Sequence, residues 1–199
     1  MDTTVPAASA DGIEQPHLLA RNIYVGSRIW AASQAFFFVA FFFAFLYLRA
    51  LNTNGLWRGW PPHHPSPSLA FGVAILICVL AAAAVARGAA MLGPNLWRLG
   101  AVGALLLSLA AVGLQAAQFS SLGFGPTDAA YASVFVGWTG LFALFLLGSA
   151  YWLGTVVADV ARAGEAPELR TAAVDAVSFV LVVLAGVEIA AFILLYVVA

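Results

Sequence analysis

Catalysis needs titratable groups, a metal or a cofactor site, and this sequence supplies few of them. Its histidines are His17, His63 and His64. Histidines that hold haem or copper inside a membrane sit within helices, and none of these three falls in a long apolar run. The adjacent pair His63-His64 has the spacing to grip a metal ion at a surface. It lies in Trp57 to Ser68 (WRGWPPHHPSPS), where prolines stiffen a loop and two solvent-exposed residues are the plainer reading. Cys78 is the single cysteine. It can form no internal disulfide and belongs to no C-x-x-C metal pattern. The expectation is a chain with no catalytic residue, no metal ligand and no cofactor of its own.

Glu188 stands apart, because it lies inside an apolar run. A carboxylate at the centre of a bilayer costs at least ~2.5 kcal/mol. Two readings compete. One is a proton-exchanging group, or the partner of an arginine on a neighbouring subunit. The other is a protonated acid hydrogen-bonded to a carbonyl where two helices meet. Gln34, Gln115 and Gln118 cannot titrate but can hydrogen-bond across helices, and they are read as structural contacts. Arg28 and Arg49 bracket the first apolar run, and Arg170 precedes the last. Such arginines snorkel to phosphate headgroups, either as simple anchors or around a bound phospholipid. Trp57, Trp60 and Trp97 fit an interfacial aromatic belt.

The elements that carry these residues follow from the composition. Of 199 residues, 63% are hydrophobic and only 9% charged, with a mean hydropathy of +0.98. A soluble domain is about 25% charged, so lipid must cover most of this chain's outside. That excludes a nucleic-acid binder, a secreted disulfide scaffold and a disordered regulator. The net charge of −1 gives no long-range field to attract a polyanion.

A hydrocarbon core of about 30 Å takes about 20 apolar residues per helix, and five segments qualify. The expected fold is all-α: a polytopic membrane protein with five transmembrane helices in a bundle. They lie at about 27–50, 68–88, 97–119, 129–158 and 172–199. Residues 1–24 are expected to be a flexible N-terminal tail, and 25–199 the transmembrane domain. The tail carries Asp2, Asp11 and Glu14, and the following run is longer than a signal-peptide core, so a cleaved signal is not expected. The stretch Ala129 to Ala158 exceeds one perpendicular span, which points to tilt or to extension beyond the bilayer. Asp159 to Asp175 reads as a polar loop.

Five helices put the two chain ends on opposite sides. The N-terminal side receives Arg21, Arg28, Arg87, Arg98, Arg162 and Arg170, and the other side Arg49 and Arg58. The positive-inside rule then makes the N-terminus cytoplasmic. No internal repeat is visible, which weakens a transporter reading.

At the first helix the residues form a recognisable series. Val25-Gly26-Ser27-Arg28-Ile29-Trp30-Ala31-Ala32-Ser33-Gln34-Ala35-Phe36-Phe37-Phe38 resembles the helix opening G-x-x-x-W-x-x-S-E-x-x-F-F of subunit III of haem–copper oxidases (cytochrome c oxidase subunit III), in its five-helix bacterial type. Arg49 follows at the family's distance, and Trp60-Pro61-Pro62 is similar to its W-P-P loop. Gln115-Ala116-Ala117-Gln118-Phe119 resembles Q-x-x-E-[YF]. Tyr131-Ala132-Ser133-Val134-Phe135 with Thr139-Gly140 resembles Y-G-S-x-F…T-G. The departures concern ionisable groups. Gln34 and Gln118 stand where the family has glutamates. Phe142-Ala143-Leu144-Phe145 replaces H-G-x-H, and Leu181-Val182-Val183-Leu184-Ala185 replaces W-H-F-V-D. Glu188 has no family counterpart.

The resemblance implies a subunit without prosthetic groups in the inner membrane of a bacterium. It would dock on catalytic subunit I, beside subunit II, with haem and copper held by those partners. It would also hold phospholipids. The residues it marks for lipid or subunit contact, together with those singled out above, are Trp30, Gln34, Arg49, Trp60, Gln118, Arg170 and Glu188. The Phe-rich first helix and the Gly-containing fourth are the expected contact faces. An accessory subunit of a nitric oxide reductase, a small transporter and a transient assembly factor are the competing readings.

Overall fold

The computed structural model describes residues 15–52, 57, 66–91, 97–162 and 167–199. Five helices account for nearly all of them: α1 Pro16–Ala50, α2 Leu69–Met91, α3 Trp97–Ser121, α4 Ala130–Arg162 and α5 Pro167–Phe192. The chain of α5 continues as a π-helical segment, Ile193–Val198. The all-helical expectation holds, and all five helices are long and apolar enough to cross a membrane. A helix satisfies its own backbone, which lipid cannot do for it. The shortest, α2, has 23 residues, about 35 Å at 1.5 Å per residue, enough for a core of about 30 Å.

Helix ends depart from the sequence expectation in two places. Helix α1 starts at Pro16, inside the stretch expected to be a tail. Proline suits the first helical turn, and no Gly or Pro interrupts Leu18 to Val25. His17 therefore sits in a helix after all, on an exposed first turn. The expected polar loop from Asp159 to Asp175 is largely helical. Helix α4 runs on to Arg162 and α5 begins at Pro167. Again proline opens the helix, and Glu168 in its first turn favours the positive N-terminal end of the helix dipole. The extension of α4 to 33 residues fits the long uncharged stretch.

Helix α5 is the centre of the bundle, packed against α1, α2 and α4, while α3 lies between α2 and α4. Its inward side is a file of Val177, Val180, Leu181, Leu184, Ala191 and Leu195, all buried. Side-chain contacts show which helix ends meet. Arg28 of α1 and Arg87 of α2 both pair with Asp175 of α5. Trp30 stacks on Trp152 of α4, and Arg170 lies over Trp97 of α3. The starts of α1, α3 and α5 thus share one end with the finishes of α2 and α4. The up-and-down order places the arginine-rich ends together. The close α2–α3 contact depends on small residues: a Cβ on Gly100 would lie 2.7 Å from that of Ala89.

Candidate functional site

The arginine-rich end holds an ionic cluster built by three helices. Arg28 Nη2 reaches Asp175 Oδ2 at 3.3 Å, and Arg87 pairs with Oδ1 of the same carboxylate. Arg28 also donates to Ser27 Oγ at 2.9 Å. Its guanidinium lies over the rings of Tyr24 and Phe179, at 3.5 and 4.3 Å. Two cations share one anion, so the cluster carries one excess positive charge. Arg28 was expected to snorkel to lipid; its carboxylate and ring partners keep it within the bundle. Arg170 is likewise 5.6 Å from the Trp97 ring, at the outer limit of a cation–π contact. Trp97 is 5% exposed and Trp57 6%. Both are core residues at bundle ends rather than members of a lipid-facing belt. Arg49 is exposed in the last turn of α1, where its charge complements the helix dipole.

The opposite end holds a polar chain. Gln115 Nε2 donates to Gln118 Oε1 at 3.1 Å. Gln118 Nε2 donates to the Tyr196 hydroxyl at 2.7 Å and lies 3.4 Å from the Ser68 carbonyl. Both glutamines are buried; Gln118 makes the contact out of α3, to the residue ahead of α2 and to the π segment after α5, whereas Gln115 bonds only within α3. Gly72 makes room for the tyrosine, since a Cβ there would lie 2.6 Å from Tyr196 Cζ. Beside this chain Tyr131 donates to the Leu195 carbonyl at 2.7 Å. Trp57 packs edge-on against Phe45 and Tyr131.

Gln34 behaves differently from the other two. It is 1% exposed, and neither its Nε2 nor its Oε1 has a partner among the described residues. The expected hydrogen bond across helices is not formed. Its turn of α1 is flanked by Ala31 and Phe38, and Phe38 is surrounded by the rings of Trp138, Phe142 and Phe145. Glu188 is 6% exposed and has no hydrogen-bond partner among the described residues. It is packed among the helices of its own chain. It is not bonded to a helix carbonyl.

Trp30 is half-buried, 5.2 Å from the Trp152 ring. The two rings wall a groove of about 460 Å³ with Gly26, Gly148 and Tyr151. A second groove, of about 340 Å³, opens between α1 and α5 over Trp138. In α4, Gly137 packs against Phe41 and Gly140 faces Phe119, so these glycines serve the bundle's interior rather than an outer contact face. Trp60, His63 and His64 lie outside the described residues. Among the described residues no group of three or more His, Cys, Asp or Glu could hold a metal ion. The sequence reading missed Tyr196, Asp175 and Arg87. Tyr196 carried only a weak signal: it is the next polar residue after Glu188 in the last apolar run.

No family model matches the sequence. The chain is 28% identical over 153 residues to a protein of Neurospora crassa named cytochrome c oxidase subunit 3. The alignment covers 73% of this chain and 55% of that protein, so the chain spans about half the length of the curated relative it matches. That similarity supports the cytochrome c oxidase subunit III family. It joins a bundle of five membrane-length helices to the motif resemblance read from the sequence.

Proposed function

We propose that this chain is the non-catalytic subunit III of a bacterial haem–copper terminal oxidase. The similarity over most of the chain carries the reading. Oxygen reduction and proton pumping belong to catalytic subunit I and its partner subunit II, which hold the haems and copper. This chain covers the flank of subunit I, stabilises it, and keeps phospholipids at the joint. It lies in the inner membrane with its arginine-rich end, and hence its N-terminus, in the cytoplasm.

The physical basis is packing. Helix α1 turns Phe36, Phe37, Phe43 and Tyr47 outward, whereas the outward residues of α2 and α3 are mostly Leu, Val and Ile. Rigid aromatic rings supply large contact area at small entropic cost, which suits α1 to a protein neighbour. The two apolar grooves, beside α4 and beside α5, have room for a stretch of acyl chain each, which supports the phospholipid reading.

The test is gentle detergent purification through a tag on this chain, followed by an optical spectrum and mass spectrometry. Haem absorbance together with subunits I and II is the expected result. Isolation with a nitric oxide reductase pair instead would establish the second reading, which the missing carboxylates at Gln34 and Gln118 favour. Stoichiometric iron or copper in the isolated chain would overturn both.

A further inference from the structure

Glu188 is a buried carboxyl for which the scaffold role has no use. It lies within the membrane-length part of α5, is 6% exposed, and finds no hydrogen-bond partner among the described residues. An isolated polar group at that depth carries a cost that nothing in its surroundings offsets. The next polar group along the same helix is Tyr196. In a continuous α-helix, eight residues would leave Tyr196 about 80° around the axis from Glu188. The chain instead becomes π-helical from Ile193 to Val198. A π turn is wider, so each residue advances through a smaller angle and Tyr196 swings back towards the face of Glu188. The carboxyl is within electrostatic reach of the tyrosine hydroxyl. Local π turns gather at functional sites.

The Tyr196 hydroxyl is itself held in place. Its oxygen accepts from Gln118, and its own proton has no acceptor among the described residues. Gln118 is steadied by Gln115 and reaches the Ser68 carbonyl, one residue ahead of α2 and at the rim of the bundle. Gly72 keeps the space that the ring occupies. A donor without an acceptor therefore stands between the bundle rim and an unpartnered carboxyl deeper in the bundle.

We propose that Glu188 is a proton-exchanging acid, reached by water from the Tyr196 end of the bundle. The ligand of the site is water, bridging the carboxyl and the hydroxyl. In an exchange the carboxyl O–H bond breaks towards that water, whose own proton passes to the Tyr196 oxygen. The former phenolic proton leaves to a second water at the rim. A proton returning along the same file restores the acid. The exchange leaves a carboxylate at Glu188 and the proton on the rim water, so the total charge is unchanged and no oxidant or reductant takes part. The site stands whatever complex the chain joins.

Infrared spectroscopy of the full chain in lipid vesicles tests this directly. At neutral pH the protein should show the carbonyl stretch of a protonated carboxyl, and Glu188→Gln should abolish it. On transfer to heavy water the band should shift. Tyr196→Phe should keep the band and slow its shift by about tenfold or more. Gln118→Met, which frees the hydroxyl while leaving the ring, should slow it as well, and it replaces Tyr196→Phe if that variant does not fold. A band that is absent from the unsubstituted protein, or that persists in Glu188→Gln, overturns the proposal. So does a shift equally fast in unsubstituted protein and both file variants.

Discussion

Replacing Gln34 with methionine is expected to stabilise the bundle, an unusual outcome for a core substitution. Both polar atoms of the amide are buried without partners among the described residues. A buried group left unsatisfied costs about 1–3 kcal/mol when the unfolded reference is in water. In a bilayer the separated helices also bury the amide, and polar contacts between membrane helices average only ~0.6 kcal/mol. The gain from removing the amide therefore falls at the low end, about 1 kcal/mol, or roughly fivefold in the folding constant. Methionine is unbranched and of similar length, so it fills the same space between Ala31 and Phe38. Gln34→Ala provides the contrast: it removes the amide but opens a cavity, whose cost offsets the gain. Reversible unfolding in mixed micelles, followed by far-ultraviolet circular dichroism, measures all three proteins. If Gln34→Met lowers stability by more than ~1 kcal/mol, the amide is making a hydrogen bond that methionine lacks, and the reasoning is refuted.

Other substitutions probe the two ends of the bundle. Gly72→Ala places a methyl on the Tyr196 ring and should cost about 1–3 kcal/mol by overpacking; unfolding measurements together with the tyrosine absorption spectrum check it. Asp175→Asn leaves Arg28 and Arg87 without their shared anion. Because the groups are partly exposed, each pair is worth under ~1 kcal/mol. The loss should exceed that of Arg87→Gln and shrink as salt is raised, which a denaturation series in increasing salt reads. Trp30→Gly removes the Trp152 contact and should loosen the assembly while leaving haem content per catalytic subunit unchanged. Absorbance of the purified complex measures that content, and loss of haem would contradict the scaffold role.

The five spans were legible because lipid imposes a length and a polarity that a sequence displays directly. The helix ends were not. Pro16 and Pro167 start helices in segments whose polar composition reads as tail or loop, and composition does not distinguish a solvated helix from a solvated coil. The polar residues divide in the same way. Gln118 could be read as an interhelical contact, since a buried amide wants a partner; Gln115 finds its partner on its own helix instead. Gln34 fails the same rule, since neither amide atom meets a partner among the described residues, and which groups come to face a side chain is decided by the packing of distant helices. Arg28 meets Asp175 across 147 positions of sequence, and no local pattern announces such a meeting. The π turn that aims Tyr196 is equally silent, since Ile193 to Val198 reads as ordinary apolar helix.

The early start of α1 has a mechanical consequence. From Pro16 to Arg28 the helix rises about 18 Å, and its base is clamped where Arg28 grips Asp175 and the Phe179 ring, both of α5. A rod clamped at its foot is a lever. A tilt of about 10° would carry its tip through about 3 Å, and the same torque would arrive at the junction of α1, α2 and α5. A molecule pushing on that tip would thus pull at the hub of the bundle from some distance.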